Sequence, residues 1–309
     1  MKALSRRTFL SQVSDAGLLT LLSAGLPRMA LADPLGIPPG IQLYTVNEPL
    51  QTDAAGTLQR LHEIGYRNVE SAGFGQLTAK DFRQLLDDAG LACPSAHLNF
   101  MSGDVGAIFE DAHALGAHYA VSSMLRPGTG ALPVIDPAFA KYADILRAMT
   151  LDDAKKTAAL ANQLGEKAKQ AGLQYAYHNH FAEFVHQGHG AVAYDILLRE
   201  TDPELVKFEI DCGWMKVAGS DPVHYLKKYP HRFPMIHVKD FLKAPHHAAP
   251  GTRLGTELGN GFIKYSPIFA AAGAQALQYY FVEQEAPFTR MKPLDAAKVD
   301  FDYLESIHA

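Results

Sequence analysis

Side chains that could bind a metal ion or move a proton follow several short apolar segments of this chain. The segment QYAYHNHFAEF, residues 174–184, opens as a buried strand and then places His178, His180 and Glu183 close together. Residues of the same types follow later apolar segments: Asp211, His237, Lys239, Glu283 and Glu285. Imidazole and carboxylate groups bind divalent ions such as Mn²⁺, Co²⁺, Mg²⁺ and Zn²⁺, and they also act as general acids and bases. The pattern therefore predicts a metal-binding or acid–base site.

Short β-rich segments alternate with longer helical segments from Pro38-Pro39-Gly40 to the end of the chain. The predicted strands are residues 41–46, 68–71, 92–98, 119–124, the start of the 174–184 segment, 206–210, 235–238 and 277–282. Helices are predicted between them, for example residues 54–64 before Gly65 and residues 151–171 before Gly172. Eight strands alternating with helices predict a (β/α)₈ TIM barrel, α/β in class, as a single domain over residues 33–309. A doubly wound sheet is disfavoured because no Gly-rich turn follows the first strand.

The carboxyl ends of the strands in such a barrel meet at one face, where active sites are built. One ligand from each of four adjacent strands gives a candidate metal set: His178 or Glu183, Asp211, His237 and Glu283. The candidate catalytic residues are His180, Glu183, Glu283 and Lys239, and the candidate substrate contacts are Tyr44, Glu70, His97, Trp214 and Glu285. Taken alone, a histidine at a strand end is more often structural than a ligand. Trp214 fits the core as well as a position that stacks on a sugar. The joint pattern favours a site.

The first 32 residues have the features of an export signal. Ser5-Arg6-Arg7-Thr8-Phe9-Leu10 is a twin-arginine pattern, an apolar run follows at residues 18–26, and Ala30-Leu31-Ala32 offers a cleavage site. The apolar run is too short for a stable membrane anchor. We predict a mature protein that starts near Asp33 and is exported, already folded, to a bacterial periplasm. The alternative is a basic amphipathic N-terminal helix.

The composition argues against a nucleic-acid partner. The chain has 309 residues, 48% of them hydrophobic, as in an ordinary globular protein. Without the signal segment, with its four basic residues and one acidic residue, 24 basic and 32 acidic residues remain, a net charge of about −8. Binding to phosphates would require a basic surface. The cysteines, Cys93 and Cys212, are predicted to be reduced and buried rather than part of a disulfide framework.

Several of these motifs resemble a known family, the xylose-isomerase-like TIM barrels, often called sugar phosphate isomerase/epimerases. The matching segments are GIQLYTV (40–46), YHNHFAEF (177–184), FEIDCGW (208–214), MIHVKD (235–240), ELGNGFIKY (257–265) and YYFVEQE (279–285). The resemblance implies one divalent ion held by His178, Asp211, His237 and Glu283. Ketose epimerases of this family keep a glutamate where this chain has His178, so either His178 binds the ion as a neutral imidazole or Glu183 replaces it. Relatives that cleave C-glycosides have a general base at the position of His180.

Such a site supports removal of a proton next to a carbonyl group, with an enediolate stabilised by the ion. His180 has a natural pKa suited to this step, whereas Glu183 or Glu283 would need a raised pKa. Lys239 could stabilise an oxyanion. The leading expectation is a sugar or polyol isomerase or epimerase with a small carbohydrate substrate. The sequence is compatible with a homo-oligomer. The alternatives are a lyase or dehydratase acting on 3-keto sugars or glycosides, and a non-catalytic periplasmic sugar-binding barrel.

Overall fold

The computed structural model describes residues 35–101, 103–123, 125, 148–243, 254–273 and 277–307, so the predicted signal segment lies outside the described residues. The strands are β1 (Gly40–Gln42), β2 (Asn68–Ser71), β3 (Ala92–His97), β4 (Tyr119–Ser122), β5 (Gln174–His178), β6 (Val206–Asp211), β7 (Met235–Val238), β8 (Asp240–Phe241), β9 (Gly255–Thr256) and β10 (Tyr279–Val282). Eight of them form a closed barrel in the order β1-β10-β7-β6-β5-β4-β3-β2, and all neighbours run parallel. The predicted (β/α)₈ barrel is confirmed.

Helices connect successive strands of the barrel. Their bounds are Asn47–Thr52, Ala54–Ile64, Ala79–Ala89, Val105–Leu115, Leu151–Gln170, Ala193–Glu200, Cys212–Val217, Pro222–Lys228, Ser266–Gly273 and Pro293–Ser306. Thr150 forms a capping box with Asp153, which satisfies two backbone N–H groups at the start of the long helix Leu151–Gln170. Gly116 ends another helix in the left-handed region at φ 80°, where a side chain would be strained.

The interior of the barrel is polar at the carboxyl ends of the strands and apolar in the layer that precedes these ends. Tyr119, Val121, Ala176, Met235 and Phe281 form an apolar cluster separate from the main core between strands and helices. Side chains alternate along a strand, so a residue two positions later points to the same side. The residues two positions after three members of this cluster are His178, His237 and Glu283. The strands therefore stack the polar residues on an apolar floor at the carboxyl end of the barrel.

Three details differ from the sequence expectations. The first strand ends at Gln42 because the Gln42 side chain accepts the N–H of Tyr44 at 3.0 Å and starts a 3₁₀ helix, Leu43–Val46. The helix Cys212–Val217, which begins directly after β6, was not expected. The same holds for the small antiparallel ribbon of β8 and β9.

Both cysteines are buried free thiols, as predicted. Within the described ranges, the helices are too short or too polar for any of them to span a bilayer.

Asp300 provides a test of the packing between the last helix and the loop that follows β9. Its carboxylate is 1% exposed and accepts the N–H of Leu258 at 2.6 Å, and burial raises its pKa to about 8. An unfolded aspartate has a pKa of about 3.9, so the folded state binds one more proton between pH 4 and 8 and stability falls as pH rises. Asp300→Asn should remove this dependence, which is at most about 1.4 kcal/mol per pH unit.

Urea unfolding at pH 5 and pH 8 measures the effect. The variant should gain stability relative to the wild type as pH rises, while Asp302→Asn, an exposed change on the same helix, should run parallel to the wild type. Equal pH slopes for wild type and Asp300→Asn would contradict a buried, protonated Asp300.

Candidate active site

Four predicted ligand residues meet at the carboxyl end of the barrel, and we call them the mouth cluster: His178, Asp211, His237 and Glu283. Each offers one ligand atom, and these atoms lie within 4.8 Å of one another. His237 Nδ1 lies 2.9 Å from Glu283 Oε2, and His178 Nε2 lies 3.8 Å from Asp211 Oδ2. All four side chains are buried, with Glu283 the most exposed at 8%.

Asp211 is oriented by the turn from β6 into the helix Cys212–Val217. Its Oδ1 accepts the N–H of Trp214 at 2.7 Å and caps that helix. The backbone of Asp211 is fixed by Asn179, whose side chain accepts its N–H at 3.1 Å and donates to its carbonyl at 3.3 Å. The other carboxylate oxygen, Oδ2, is buried and receives no hydrogen bond, although Lys239 Nζ lies 3.0 Å away. One ligand oxygen is thus left facing the cluster.

Lys239 joins the carboxylates at the mouth of the barrel. Its Nζ lies 3.0 Å from Asp211 Oδ2, 2.7 Å from Glu283 Oε2 and 2.6 Å from Glu285 Oε1. Burial alone would lower the pKa of Lys239, but these carboxylates outweigh it and raise the pKa well above its ordinary value. Lys239 therefore stays charged. The same ion pairs, with His237, hold the pKa of Glu283 well below its usual range against the effect of burial.

A second group of side chains lies against the mouth cluster, and we call it the inner cluster: Glu70, His97, His178, Glu209 and His237. Glu209 Oε2 lies 2.8 Å from His97 Nε2, 2.9 Å from His178 Nδ1 and 3.1 Å from His237 Nε2. Glu70 Oε2 lies 2.7 Å from His237 Nε2 and 3.1 Å from His97 Nε2. Burial and Glu70 raise the pKa of Glu209, but the histidines outweigh them and lower it to about 2.

The charges of the two clusters fit a divalent cation. Their carboxylates are Glu70, Glu209, Asp211 and Glu283. Lys239 offsets one of these four charges. His97 offsets another, because Glu70 and Glu209 overcome the effect of burial and raise the pKa of His97 to about 10. The same carboxylates raise the pKa of His237, which takes a proton at Nδ1 when no cation is bound there. Glu285, which also contacts Lys239, adds a fifth carboxylate, so a divalent ion at that nitrogen would replace this proton and offset two of the three negative charges that remain.

A cavity of about 560 Å³ opens beside the mouth cluster. Its polar lining residues include Gln42, His97, His178, His180, Glu283 and Glu285. Its apolar lining residues include Ala72, Leu98, Phe100, Met101 and Leu125, and Tyr44 also lines it. A cavity of this size takes a small organic molecule. The lining offers such a molecule both reactive groups and apolar contacts.

The fold and the two clusters can be compared with known proteins. A family model described as xylose isomerase-like TIM barrel matches residues 58–307, which is most of the chain. The chain belongs to the xylose isomerase-like TIM barrel family. An inosose dehydratase from Clostridium perfringens is 28% identical over 252 residues, 78% of this chain and 77% of that protein.

Two further matches agree with this assignment. An inosose dehydratase from Lacticaseibacillus casei is 27% identical over 168 residues, 51% of this chain and 55% of the relative, so the match spans about half the length of that curated protein. The crystal structure of a sugar phosphate isomerase/epimerase from Parabacteroides distasonis is 25% identical with a TM-score of 0.67, and the alignment covers 86% of this chain and 93% of that one. The protein is thus a member of an enzyme family.

Not every predicted substrate residue lines the cavity of this family member. Tyr44, His97 and Glu285 do. Glu70 is fully buried in the inner cluster and lies outside the cavity lining, so its expected substrate contact is replaced by contacts to histidines. Trp214 is only 6% exposed and packs against Phe181 and Phe241. Its Nε1 donates to Glu285 at 3.0 Å, so Trp214 supports a cavity residue.

Glu209 is the residue that the sequence interpretation missed. It precedes Asp211 by two positions in β6, so both carboxylates point to the same side of the strand. That spacing was visible in the sequence FEIDCGW. A buried carboxylate inside a strand is rare unless it is paired. The partners of Glu209 are histidines on three other strands, β3, β5 and β7.

Glu183 and His180 occupy the loop after β5. The carboxylate of Glu183 accepts the hydroxyl of Tyr177 at 2.7 Å and the N–H of His180 at 3.0 Å, and it is 2% exposed. Among the described residues, the candidate metal groups do not include Glu183. His180 lines the cavity, and burial lowers its pKa to about 4, so its imidazole is neutral at pH 7. The structure favours Glu183 as the support of this loop.

Glu183→Gln tests that role. A glutamine oxygen can replace only one acceptor, so one of the two donors loses its partner, and the free energy of unfolding should fall by about 1–3 kcal/mol. Affinity for Zn²⁺ or Mn²⁺ should stay within a factor of three, because no ligand atom is lost. Urea unfolding and isothermal titration calorimetry measure the two quantities, with exposed Glu110→Gln as the control. Loss of metal binding in Glu183→Gln at intact fold would make Glu183 a ligand.

Proposed function

We propose that the protein is a divalent-metal-dependent isomerase or epimerase that removes a proton next to the carbonyl group of a sugar or polyol. One observation carries the proposal: a buried set of two imidazoles and two carboxylates borders a cavity large enough for a carbohydrate. The xylose isomerase-like family and the sugar phosphate isomerase/epimerase of similar structure support the substrate class.

The mouth cluster would hold the metal through His178, Asp211, His237 and Glu283. Mixed nitrogen and oxygen ligands suit Mn²⁺, Co²⁺, Mg²⁺ or Zn²⁺. The orphaned oxygen Asp211 Oδ2 and the close approach of His237 Nδ1 to Glu283 Oε2 both call for a positive charge between these groups. When bound, the ion would supply Lewis acidity that polarises a ketone oxygen.

Two side chains of the chain would handle the proton and the charge. The imidazole of His180 lines the cavity and is neutral at pH 7, because burial lowers its pKa to about 4, so an unprotonated ring nitrogen is available to accept a proton. Glu283 lines the cavity too, but its Oε2 is occupied by Lys239 and His237, which makes it a poor base. Lys239, predicted to be catalytic, lies outside the cavity lining with its Nζ bound to Asp211, Glu283 and Glu285, so it would hold these carboxylates in place rather than contact the substrate.

A lyase or dehydratase is the second candidate, and a specific observation favours it. The curated relatives reported above carry the name inosose dehydratase, and one of them aligns over 78% of this chain. Elimination begins with the same proton abstraction as isomerisation, and it needs one base on one face of the substrate. His180 is the base that the described part of the cavity offers for this step.

The experiment incubates metal-loaded protein in D₂O with a panel of ketoses, ketopolyols and 3-keto glycosides. Deuterium incorporation without release of a group indicates an isomerase or epimerase. Loss of water or of an aglycone indicates a lyase. Binding of a sugar with no exchange and no product would overturn both and leave a binding protein.

Asp211→Ala should abolish stoichiometric metal and all turnover, because it removes a ligand that no neighbour replaces. Asp211→Asn preserves the helix cap and should show the same loss, which separates metal binding from folding. Exposed Asp152→Ala serves as the control. Metal content by mass spectrometry decides: a full equivalent in folded Asp211→Asn would contradict the proposed ligand set.

We also propose that residues 1–32 direct the protein to the periplasm by the twin-arginine route. Support comes from the Arg6-Arg7 pair and the Ala30-Leu31-Ala32 cleavage pattern. The doubly changed Arg6→Lys, Arg7→Lys protein should stay in the cytoplasm with its N-terminus uncut, while the wild type should appear in the periplasm starting near Asp33. Cell fractionation and N-terminal sequencing measure this, and equal export of both proteins would contradict it.

A further inference from the structure

Two histidines stand between two different sets of carboxylates. His178 places Nδ1 at 2.9 Å from Glu209 Oε2 and Nε2 at 3.8 Å from Asp211 Oδ2. His237 places Nε2 at 2.7 Å from Glu70 Oε2 and Nδ1 at 2.9 Å from Glu283 Oε2. Each ring thus turns one nitrogen to the inner cluster and the other to the mouth cluster.

Further contacts hold the two inner carboxylates in place, although Glu209 Oε1 has no hydrogen bond. Glu70 accepts the side-chain amide of Gln42 at 2.8 Å and the hydroxyl of Ser95 at 2.5 Å. Glu209 lies 2.8 Å from His97 Nε2, and both glutamates are completely buried. A buried, ionised carboxylate only accepts hydrogen bonds. A ring nitrogen that faces it must therefore carry the hydrogen.

We propose that Glu209 and Glu70 are positioning residues that set the tautomers of His178 and His237. Glu209 holds the hydrogen of His178 on Nδ1, and Glu70 holds that of His237 on Nε2. Nε2 of His178 is then unprotonated and faces Asp211, and Nδ1 of His237, which faces Glu283, is unprotonated once a metal ion replaces its proton. The claim that these nitrogens bind a metal ion rests on the proposed function. The claim about the tautomer of His178 does not depend on it.

The inner cluster could instead hold a cation of its own, since ligand atoms of His97, His178, Glu209 and His237 also lie within 4.8 Å of one another. The hydrogen bonds argue for protons. Three imidazole nitrogens face this space, and each has a carboxylate oxygen within 2.9 Å: Glu209 for His97 and His178, and Glu70 for His237. These ring nitrogens therefore already have carboxylate partners, whereas Glu209 Oε1 is buried without a hydrogen bond, so the number of Zn²⁺ ions bound per chain decides between protons and a second ion.

The tautomers are read by long-range ¹H–¹⁵N NMR of histidine-labelled protein, with signals assigned through His178→Asn. In the metal-free wild type at pH 8, His178 should show a protonated Nδ1 and an unprotonated Nε2. In Glu209→Gln the two tautomers of His178 should mix. His237 faces carboxylates on both sides, so it is read in the Zn²⁺-loaded protein, where Nε2 should carry the hydrogen and Nδ1 should show the shift of a metal-bound nitrogen.

Zn²⁺ titration by calorimetry provides the second readout. Glu209→Gln should bind one Zn²⁺ per chain about 10- to 100-fold more weakly than the wild type, as expected for loss of the partner of a histidine ligand. The control is Glu257→Gln. Glu257 is a buried carboxylate that contacts Thr256, Asn260 and Arg290. Removing it should destabilise the fold without changing Zn²⁺ affinity.

Three results would overturn the proposal: an Nε2–H tautomer of His178 in the wild type, unchanged tautomer and affinity in Glu209→Gln, or two Zn²⁺ ions per chain. A wild type that binds no metal would instead overturn the proposed function. The tautomer of His178 in metal-free protein would still decide whether Glu209 positions it.

Discussion

The site depends on one constraint: two imidazoles, His178 and His237, are fixed between carboxylates on both sides. Burying so many charges in a low-dielectric barrel is costly unless each has a partner of opposite charge or a hydrogen bond. The inner carboxylates are paired with histidines, although Glu209 Oε1 has no hydrogen bond. The mouth carboxylates are paired only in part, by Lys239, and this leaves one oxygen of Asp211 without a hydrogen bond. The imbalance lies beside the cavity, where a cation and a substrate can enter.

The barrel provides the geometry for this arrangement. Parallel neighbours align Asp211 with His237 and His178 with Glu209 across adjacent strands. The apolar floor beneath them excludes water from the base of the site, which strengthens every electrostatic interaction above it. Short turns after the strands then orient the ends of the ligands, as the cap of the Cys212–Val217 helix does for Asp211. Register and capping together position groups that are distant in the chain.

Much of the fold and part of the candidate site could be predicted from the sequence because strand ends in a parallel barrel converge. Alternating apolar and helical segments indicated the eight strands, and four residues at strand ends proved to be neighbours in space. The inner cluster could not be read in the same way, because contacts such as Glu70 with His237 depend on the pairing of strands around the closed barrel. Trp214 and Glu183 had residue types that suit chemistry, and only their burial and partners show that they support other residues.

The most direct test of the account is anomalous X-ray diffraction from crystals grown with Mn²⁺ or Zn²⁺. We expect one anomalous peak, about 2.0–2.2 Å from His178 Nε2, His237 Nδ1 and the carboxylate oxygens of Asp211 and Glu283. Glu209 and Glu70 should remain outside the coordination sphere, within hydrogen-bond distance of the opposite ring nitrogens. A peak centred among His97, Glu209 and the inner nitrogens, or no peak at all, would contradict the account.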